Sequence, residues 1–286
     1  MISIAIILVT IVGQGRMRRS SLILRDQMEE LEADKKNSAA EDNKEENEDE
    51  EIGDSQEDSK DKPAQTDSST NSKDDIYKGA IALGEINNTR WKDKRWLAIG
   101  DNITAKQSYQ SKVKLSCSMG SVTSDANTGR VMGDMANNIT TDKLKDIDIV
   151  TVFAGTSDYS LDTKLGTKSD DENSNTFYGN VHKVIKKLIA SRKDITIVFF
   201  TPLKRGAYKT YPVYPNANNA GVKLDDYAKA IKEVCAEYNI PVLDLLNESG
   251  IDEKNIKNYT VDNLHLNQAG ASKVTKVISD YFKKIK

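Results

Sequence analysis

The 286-residue chain contains only two cysteines and two histidines, and this scarcity limits the chemistry open to it. Zinc sites need several such ligands at characteristic spacings, and because no such spacing occurs we predict no metal site. Cys117 and Cys235 could pair, but nothing in the sequence requires it, and small buried side chains are the simpler interpretation. Nucleic-acid-binding motifs are also missing, so no nucleic-acid partner is expected.

Large apolar residues are almost absent between residues 33 and 75, where Glu, Asp, Lys, Ser and Asn dominate. Residues 1–75 carry 10 Lys and Arg against 20 Asp and Glu, whereas the remainder carries 31 against 24. A segment of this composition cannot bury enough surface to offset the entropy of ordering. We therefore predict a disordered acidic linker over residues 33–75, followed by a domain over residues 76–286. The basic excess of that domain is scattered and is weak evidence for an anionic partner.

The long apolar run of the chain, residues 2–12, stands at the N-terminus. As a helix it spans roughly 17 Å, which is short of a hydrocarbon core of ~30 Å. Only Met1 precedes the run, unlike a secretory signal, and Arg16, Arg18 and Arg19 follow it. Our interpretation is that residues 1–32 contain a membrane anchor, whose true start lies upstream, and a short helix. The domain is then membrane-anchored or extracellular; an amphipathic or accidental apolar N-terminus is the alternative.

Beyond residue 76, short apolar runs alternate with helical patterns, which is typical of a parallel sheet covered by helices on both faces. The predicted helices cover about residues 130–139, 176–191, 223–238 and 267–284. His182 is expected to be half-exposed beside the apolar stripe of the second of these. The predicted strands are Arg95–Gly100, Val113–Cys117, Ile147–Phe153, Ile195–Phe200 and Pro241–Leu245. We predict an α/β fold with a three-layer, flavodoxin-like, doubly wound parallel sheet of about five strands.

Small and polar residues follow these strands, at the edge where the carboxyl ends of parallel strands gather. The loops concerned are Gly100–Thr104, Ser118–Ser121, Gly155–Tyr159 and Asp262–His265. In the last loop, Asp262 precedes His265 by three residues, and an aspartate so placed can fix the tautomer of a histidine and strengthen its other nitrogen as a base. A further loop, Lys204–Asn219, carries three tyrosines that could stack on a sugar ring or acyl chain, or merely pack within the loop.

In their order, these blocks resemble the SGNH, or GDSL, hydrolase family, and the resemblance covers about Trp96 to the C-terminus. That family has G-D-S after its first strand, a glycine after its second, G-x-N-D after its third and D-x-x-H near its end. The resemblance implies ester hydrolysis or carbohydrate O-deacetylation without a cofactor. Serine attacks the carbonyl, histidine takes its proton and aspartate orients the histidine. The serine N–H, the glycine N–H and the asparagine side chain stabilise the oxyanion.

Carried over residue by residue, the match is partial. The residues that fit the family pattern are Gly100, Asp101, Gly120 as the oxyanion glycine, Gly155, Asp158, Asp262 and His265. Asn102 stands at the nucleophile position, and Ser157 stands where the family has its oxyanion asparagine. Because the lone pair of an amide nitrogen is delocalised, Asn102 is not a usable nucleophile, and the ordinary mechanism is expected to be impaired.

The exchange of Asn102 and Ser157 is reciprocal, and it leaves three interpretations open. The domain is a non-catalytic module that keeps a cleft for a small-molecule ester or acetylated carbohydrate. Alternatively, Ser157 is a relocated nucleophile that needs His265 within hydrogen-bond reach, with Asn102 donating to the oxyanion. In the third interpretation, His265 activates water directly. The binding module is thus the class that competes with an enzyme, and a surface-displayed structural protein without a ligand is a second competitor, since fold does not determine function.

Overall fold

The computed structural model describes residues 89–285, within the compact unit Asn88–Lys286. The predicted anchor segment (residues 1–32) and acidic linker (residues 33–75) lie outside the described residues, so both stay predictions. Within residues 89–285, no helix combines the length and the apolar character that crossing a membrane requires.

Five parallel strands form one sheet in the order β2-β1-β3-β4-β5, which confirms the predicted flavodoxin-like arrangement. The strands are β1 (Arg95–Gly100), β2 (Ser121–Ala126), β3 (Ile149–Phe153), β4 (Thr196–Phe200) and β5 (Val242–Leu243). β1 pairs with both β2 and β3, so the winding of the chain reverses beside β1. In open sheets of this kind, the crevice at the carboxyl ends of the strands at the reversal is where ligands bind.

Helices cover both faces of the sheet. They are α1 (Asn102–Ala105), α2 (Gln110–Ser116), α3 (Met132–Met135), α4 (Thr141–Leu144), α5 (Thr156–Ser160), α6 (Phe177–Ser191), α7 (Leu224–Glu237), α8 (Leu245–Glu248), α9 (Ile256–Tyr259) and α10 (Gln268–Phe282). The long helices α6, α7 and α10 confirm three predicted ranges, because each carries an apolar stripe over several turns. The helix predicted over residues 130–139 is instead divided into α3 and a 3₁₀ turn, Ala136–Asn138.

Side chains of successive strand residues point to opposite faces of the sheet, so they divide the core in two. In β3, Val150 packs with α6 and α7, whereas Phe153 packs with α2 and α10 on the other face. Cys235 belongs to the first core and Cys117 to the second, and both are buried and free. The sheet therefore separates the two thiols, and their simpler interpretation as small buried side chains is confirmed.

The predicted strand at Val113–Cys117 is wrong, because that stretch belongs to α2 and its C-terminal cap. Val113 and Cys117 lie four residues apart, about one helical turn, and both are buried, while Leu115 between them is 64% exposed. The second strand is instead β2, a partly exposed edge strand without an apolar run. The fifth strand is also shorter than predicted, because α8 begins at Leu245.

His182 is buried rather than half-exposed, with only 6% of its surface accessible. Its Nδ1 lies 2.9 Å from the hydroxyl of Tyr238, whose ring packs edge-on against the imidazole. Tyr238, at the C-terminal end of α7, therefore covers His182, which lies at the edge of the apolar stripe of α6.

Candidate active site

The carboxyl ends of β1 and β3 lie side by side, and each leads directly into a short helix. Gly100 pairs with Phe153 in the sheet register, after which α1 begins at Asn102 and α5 begins at Thr156. A side chain at position 100 has no room, because a Cβ there would lie 2.8 Å from the Phe153 carbonyl oxygen and against Thr104. Gly155 adopts a φ of 111°, a value that glycine reaches without steric cost. These turns bring residues 101, 102 and 157 together.

Asn102 and Ser157 are both buried and are joined directly. Ser157 Oγ donates a hydrogen bond to Asn102 Oδ1 at 2.8 Å. The backbone N–H of Gly129 donates to the same oxygen at 2.9 Å. Because a backbone N–H can only donate, it fixes the orientation of the Asn102 amide, with the carbonyl oxygen toward Gly129. One donor from the first turn of α5 and one from the loop after β2 therefore converge on Asn102 Oδ1.

Gly120 does not belong to this site. It precedes β2, and its N–H donates to the carbonyl of Lys94 at 2.9 Å, at the amino end of the sheet. The oxyanion role predicted for Gly120 followed from placing the second strand at Val113–Cys117 and is corrected here. The glycine that follows the observed β2 at the carboxyl edge is Gly129.

Asp101 lies beneath the Asn102–Ser157 pair and has no exposed surface. Its carboxylate accepts the backbone N–H of Ser157 at 3.1 Å and that of Ile103 at 3.4 Å. Burial raises the pKa of Asp101 to about 6, although hydrogen bonds from backbone N–H groups act to lower it. Asp101 thus joins the first turns of α1 and α5 and adds a buried carboxyl group to the candidate site.

Asp158, the last residue of the third block, contacts the backbone at the start of α3. It is fully buried, and its Oδ2 accepts the backbone N–H of Met132 at 3.0 Å, at the start of α3. This contact joins α5 to the start of α3, which follows the loop that contains Gly129. It indicates that Asp158 helps to hold Ser157 and Gly129 at a fixed separation.

The loop before α10 brings Asp262 and His265 into contact. Their side chains meet through Oδ2 and Nδ1 at 2.6 Å, and the imidazole is 4% exposed. Burial acts to raise the pKa of Asp262. Hydrogen bonds from the ring and backbone of His265 and from the backbone N–H of Leu264 outweigh this effect and hold the pKa of Asp262 below its ordinary value. An imidazole oriented by a carboxylate in this way is suited to act as a general base.

The tyrosine-rich loop after β4 flanks this pair. The ring of Tyr208 meets the His265 imidazole edge-on, with the ring centroids 5.3 Å apart and an interplanar angle of 88°. Tyr208 and Tyr211 stack on each other at 6.3 Å. The loop therefore packs both within itself and against the candidate base.

Two residues of the site were not identified from the sequence. Gly129 was missed because the second strand was predicted at Val113–Cys117. A glycine in a polar turn after the correct second strand is the signal that identifies it. Arg205, in the tyrosine-rich loop, is 1% exposed and carries no recognisable motif. Its burial depends on loops that meet only in the folded chain.

The chain is similar to known proteins in sequence and in fold. The model of the GDSL-like lipase/acylhydrolase family matches residues 78–273. Among solved structures, the chain is similar to a Lactobacillus plantarum protein, with 24% identity, 68% of this chain and 99% of that chain covered, and a TM-score of 0.62. It is also similar to a lipase/acylhydrolase from Enterococcus faecalis, with 19% identity, 66% and 95% covered, and a TM-score of 0.51. These structural likenesses show the fold. No curated protein matches the chain.

Proposed function

The chain belongs to the GDSL-like lipase/acylhydrolase family, and from that premise we propose that its cleft binds a small-molecule ester or acetylated carbohydrate without forming an acyl-enzyme. The observation that carries the proposal is the hydrogen bond from Ser157 Oγ to Asn102 Oδ1 at 2.8 Å. It joins the two positions at which this chain departs from the family pattern.

Two of the three oxyanion donors that the family resemblance implies are already engaged within the chain. The family resemblance assigns oxyanion stabilisation to the glycine N–H after the second strand and to the side chain at position 157. Here the N–H of Gly129 and the hydroxyl of Ser157 both donate to Asn102 Oδ1. The amide oxygen of Asn102 therefore occupies the place of a substrate oxygen, and a reacting carbonyl has to displace it before it receives the same donors.

No activated nucleophile stands at either position. The amide nitrogen of Asn102 is not nucleophilic, and the hydroxyl proton of Ser157 is directed at Asn102 rather than at a base. Serine attack requires the hydroxyl to give its proton to a base within about 2.6–3.2 Å or through one water. Nucleophilic attack by Ser157 thus first requires its hydroxyl to leave Asn102 and turn toward His265.

A second candidate function rests on the Asp262–His265 pair, whose 2.6 Å contact is the family's base geometry. An oriented imidazole can remove a proton from water without a serine, and this gives slow hydrolysis of a bound ester. This candidate shares the binding cleft with the first and differs only in whether the bound ester turns over.

The test is hydrolysis of p-nitrophenyl acetate by the full chain, by Asn102→Ser/Ser157→Asn, and by each of these with His265→Ala. The double exchange restores the family's nucleophile and oxyanion asparagine. We expect no turnover above background for the native chain and His265-dependent turnover for the double variant. A fluorophosphonate probe is expected to label the double variant at position 102 and to leave the native chain unlabelled.

Each other outcome has a definite meaning. Native turnover that His265→Ala abolishes, without probe labelling, replaces the binding proposal with water activation. Labelling of the native chain at Ser157 replaces it with the relocated nucleophile. A folded double variant, checked by circular dichroism, that neither hydrolyses the ester nor reacts with the probe refutes the premise that the two exchanged positions alone block catalysis.

A further inference from the structure

Arg205 is a buried cation without an ion-pair partner in the part of the chain that the structure describes. The side chain is 1% exposed, and it lies in the loop that follows β4. Its Nη1 donates to Ser160 Oγ, and that hydroxyl is neutral. A guanidinium keeps its charge in proteins, so burial without a carboxylate is costly unless another group meets the charge.

The unused donors of Arg205 form one geometric unit. Nε and Nη2 are both buried, and neither has a hydrogen-bond partner among residues 89–285. These two nitrogens lie along the same edge of the planar guanidinium, where their N–H bonds run parallel. That edge matches the two oxygens of a carboxylate or phosphate and binds them through two parallel hydrogen bonds.

Two tyrosine rings lie close to the guanidinium of Arg205. The Arg205 carbon Cζ lies 5.9 Å from the ring centre of Tyr208 and 5.8 Å from that of Tyr211. Such contacts stabilise the buried cation by attraction between the positive charge and the ring. They do not provide acceptors for Nε–H or Nη2–H, so the hydrogen-bonding requirement of the edge stays unmet.

Arg205 lies among the elements that carry the candidate site. Its partner Ser160 ends α5, the helix that begins with Thr156 and Ser157. Tyr208 contacts both Arg205 and His265. The next residue, Gly206, donates its N–H to the carbonyl of Asn263, within the loop that holds Asp262 and His265. Arg205 is therefore connected to both sides of the site.

Burial lowers the pKa of Arg205 to about 10, and the nearby Asp101 and three tyrosines oppose this change. The residue is still protonated at neutral pH. Asp101 balances part of the charge through space, but its carboxylate is engaged with the backbone N–H groups of Ser157 and Ile103 and makes no hydrogen bond with Arg205.

We propose that the Nε–Nη2 edge of Arg205 binds an oxyanion, a carboxylate or a phosphate carried by the ligand of the cleft. This inference rests on the proposed binding function and adds to it the charge of the ligand. Because the guanidinium is buried, an oxyanion that binds to it loses hydrating water and gains two charge-assisted hydrogen bonds. Such bonds are strong in a poorly solvated site.

The experiment measures anion binding by the full chain with two probes, inorganic phosphate and monomethyl succinate. Sodium chloride at matched ionic strength controls for screening. The readouts are isothermal titration calorimetry and the Nε–H resonance of Arg205 in ¹⁵N-edited NMR. Arg205→Gln removes the charge and the fork, Arg205→Lys keeps only the charge, and Lys254→Gln removes one exposed positive charge elsewhere as a matched control.

We expect saturable binding of at least one probe, a shift of the Arg205 Nε–H resonance on titration, and about tenfold or greater weakening in Arg205→Gln. Arg205→Lys is expected to be intermediate, and Lys254→Gln is expected to bind as the native chain does. Preference for phosphate or for monomethyl succinate identifies which oxyanion the site takes.

The proposal is overturned if neither probe binds above the chloride control, or if binding is equal in native chain and Arg205→Gln. It is also overturned if the Nε–H resonance is unmoved at saturation, and this readout needs no variant to fold. The ester-hydrolysis test uses a neutral substrate and the exchanged residues 102 and 157. A failure of anion binding therefore does not change the outcome of the ester-hydrolysis test. A failure of the ester-hydrolysis test likewise does not change the outcome of the anion-binding test.

Discussion

Asp262 holds His265 at two points. One carboxylate oxygen, Oδ1, accepts the backbone N–H of His265 at 2.7 Å, and the other, Oδ2, lies 2.6 Å from the ring Nδ1. The first contact fixes the loop and the second fixes the ring. The base geometry of the family is therefore kept in a chain whose nucleophile position is an amide.

Asp262→Asn is expected to lower the free energy of unfolding by about 1 kcal/mol at pH 7, a value reduced for the partial exposure of this carboxyl. The folded state holds the pKa of Asp262 below its ordinary 3.8. Its contribution is therefore present above pH 3.8 and is lost as the pH falls through the lower, folded-state value. Urea unfolding of both chains from pH 7 to pH 3 measures the difference. The prediction fails if the difference stays constant over that range, or if the exposed control Asp134→Asn behaves alike.

Asp101 is expected to titrate near pH 6 in the folded chain, because burial raises its pKa to about that value from 3.8. The sign is opposite to that of Asp262. The stabilisation from neutral Asp101 is complete below pH 3.8 and is lost as the pH rises through 6, by up to about 3 kcal/mol. The ¹³C shift of its carboxyl carbon as a function of pH gives the pKa directly. A midpoint below 4 contradicts the prediction.

The Asn102–Ser157 hydrogen bond is expected to appear as a coupling energy of about 1 kcal/mol in a double-mutant cycle. Ser157→Ala is expected to cost about 1 kcal/mol of unfolding free energy. Asn102→Ala is expected to cost about 2–3 kcal/mol, because it leaves Gly129 N–H and the Ser157 hydroxyl without their acceptor. Denaturant unfolding of the four chains supplies the cycle. Strictly additive costs would show that the two side chains do not interact in solution.

Gly100→Ala is expected to destabilise the fold by about 2–3 kcal/mol through crowding against the Phe153 carbonyl and Thr104. Gly221→Ala is the matched control, because its φ of 75° is strained for alanine while the space around it is open. Its cost is expected to be about 1 kcal/mol. Thermal or urea unfolding ranks the two. If Gly221→Ala costs more than Gly100→Ala, backbone conformation rather than lack of space is the main reason for glycine at these turns.

The sequence predicts the elements that are long or wholly apolar. β1, β3 and β4 are short buried runs, and α6, α7 and α10 repeat an apolar stripe over several turns, so their burial is written in the residue pattern itself. The Asp262–His265 contact is equally local, because three residues of separation suffice to bring the side chains together.

Features that depend on neighbouring elements are not predictable in this way. β2 is an edge strand with a polar sequence, and it is held by pairing with β1 rather than by its own hydrophobicity. Val113, Leu115 and Cys117 alternate like a strand, but their burial follows a helical turn. Because the second strand was predicted at Val113–Cys117, the oxyanion role was assigned to Gly120 instead of Gly129. The burial of His182 likewise depends on the later Tyr238.

The polar edge strand β2 also affects how copies of this domain meet one another. At its carboxyl end, Arg130 donates to the backbone carbonyl and to the carboxylate of Asp125, each at 2.7 Å, and Lys143 binds the other carboxylate oxygen at 2.8 Å. Charged side chains on an edge strand hinder another chain from adding to it, and the opposite edge, β5, offers only two residues as a template. The sheet is therefore protected at both sides against intermolecular strand addition, which favours a domain that resists aggregation at high local concentration.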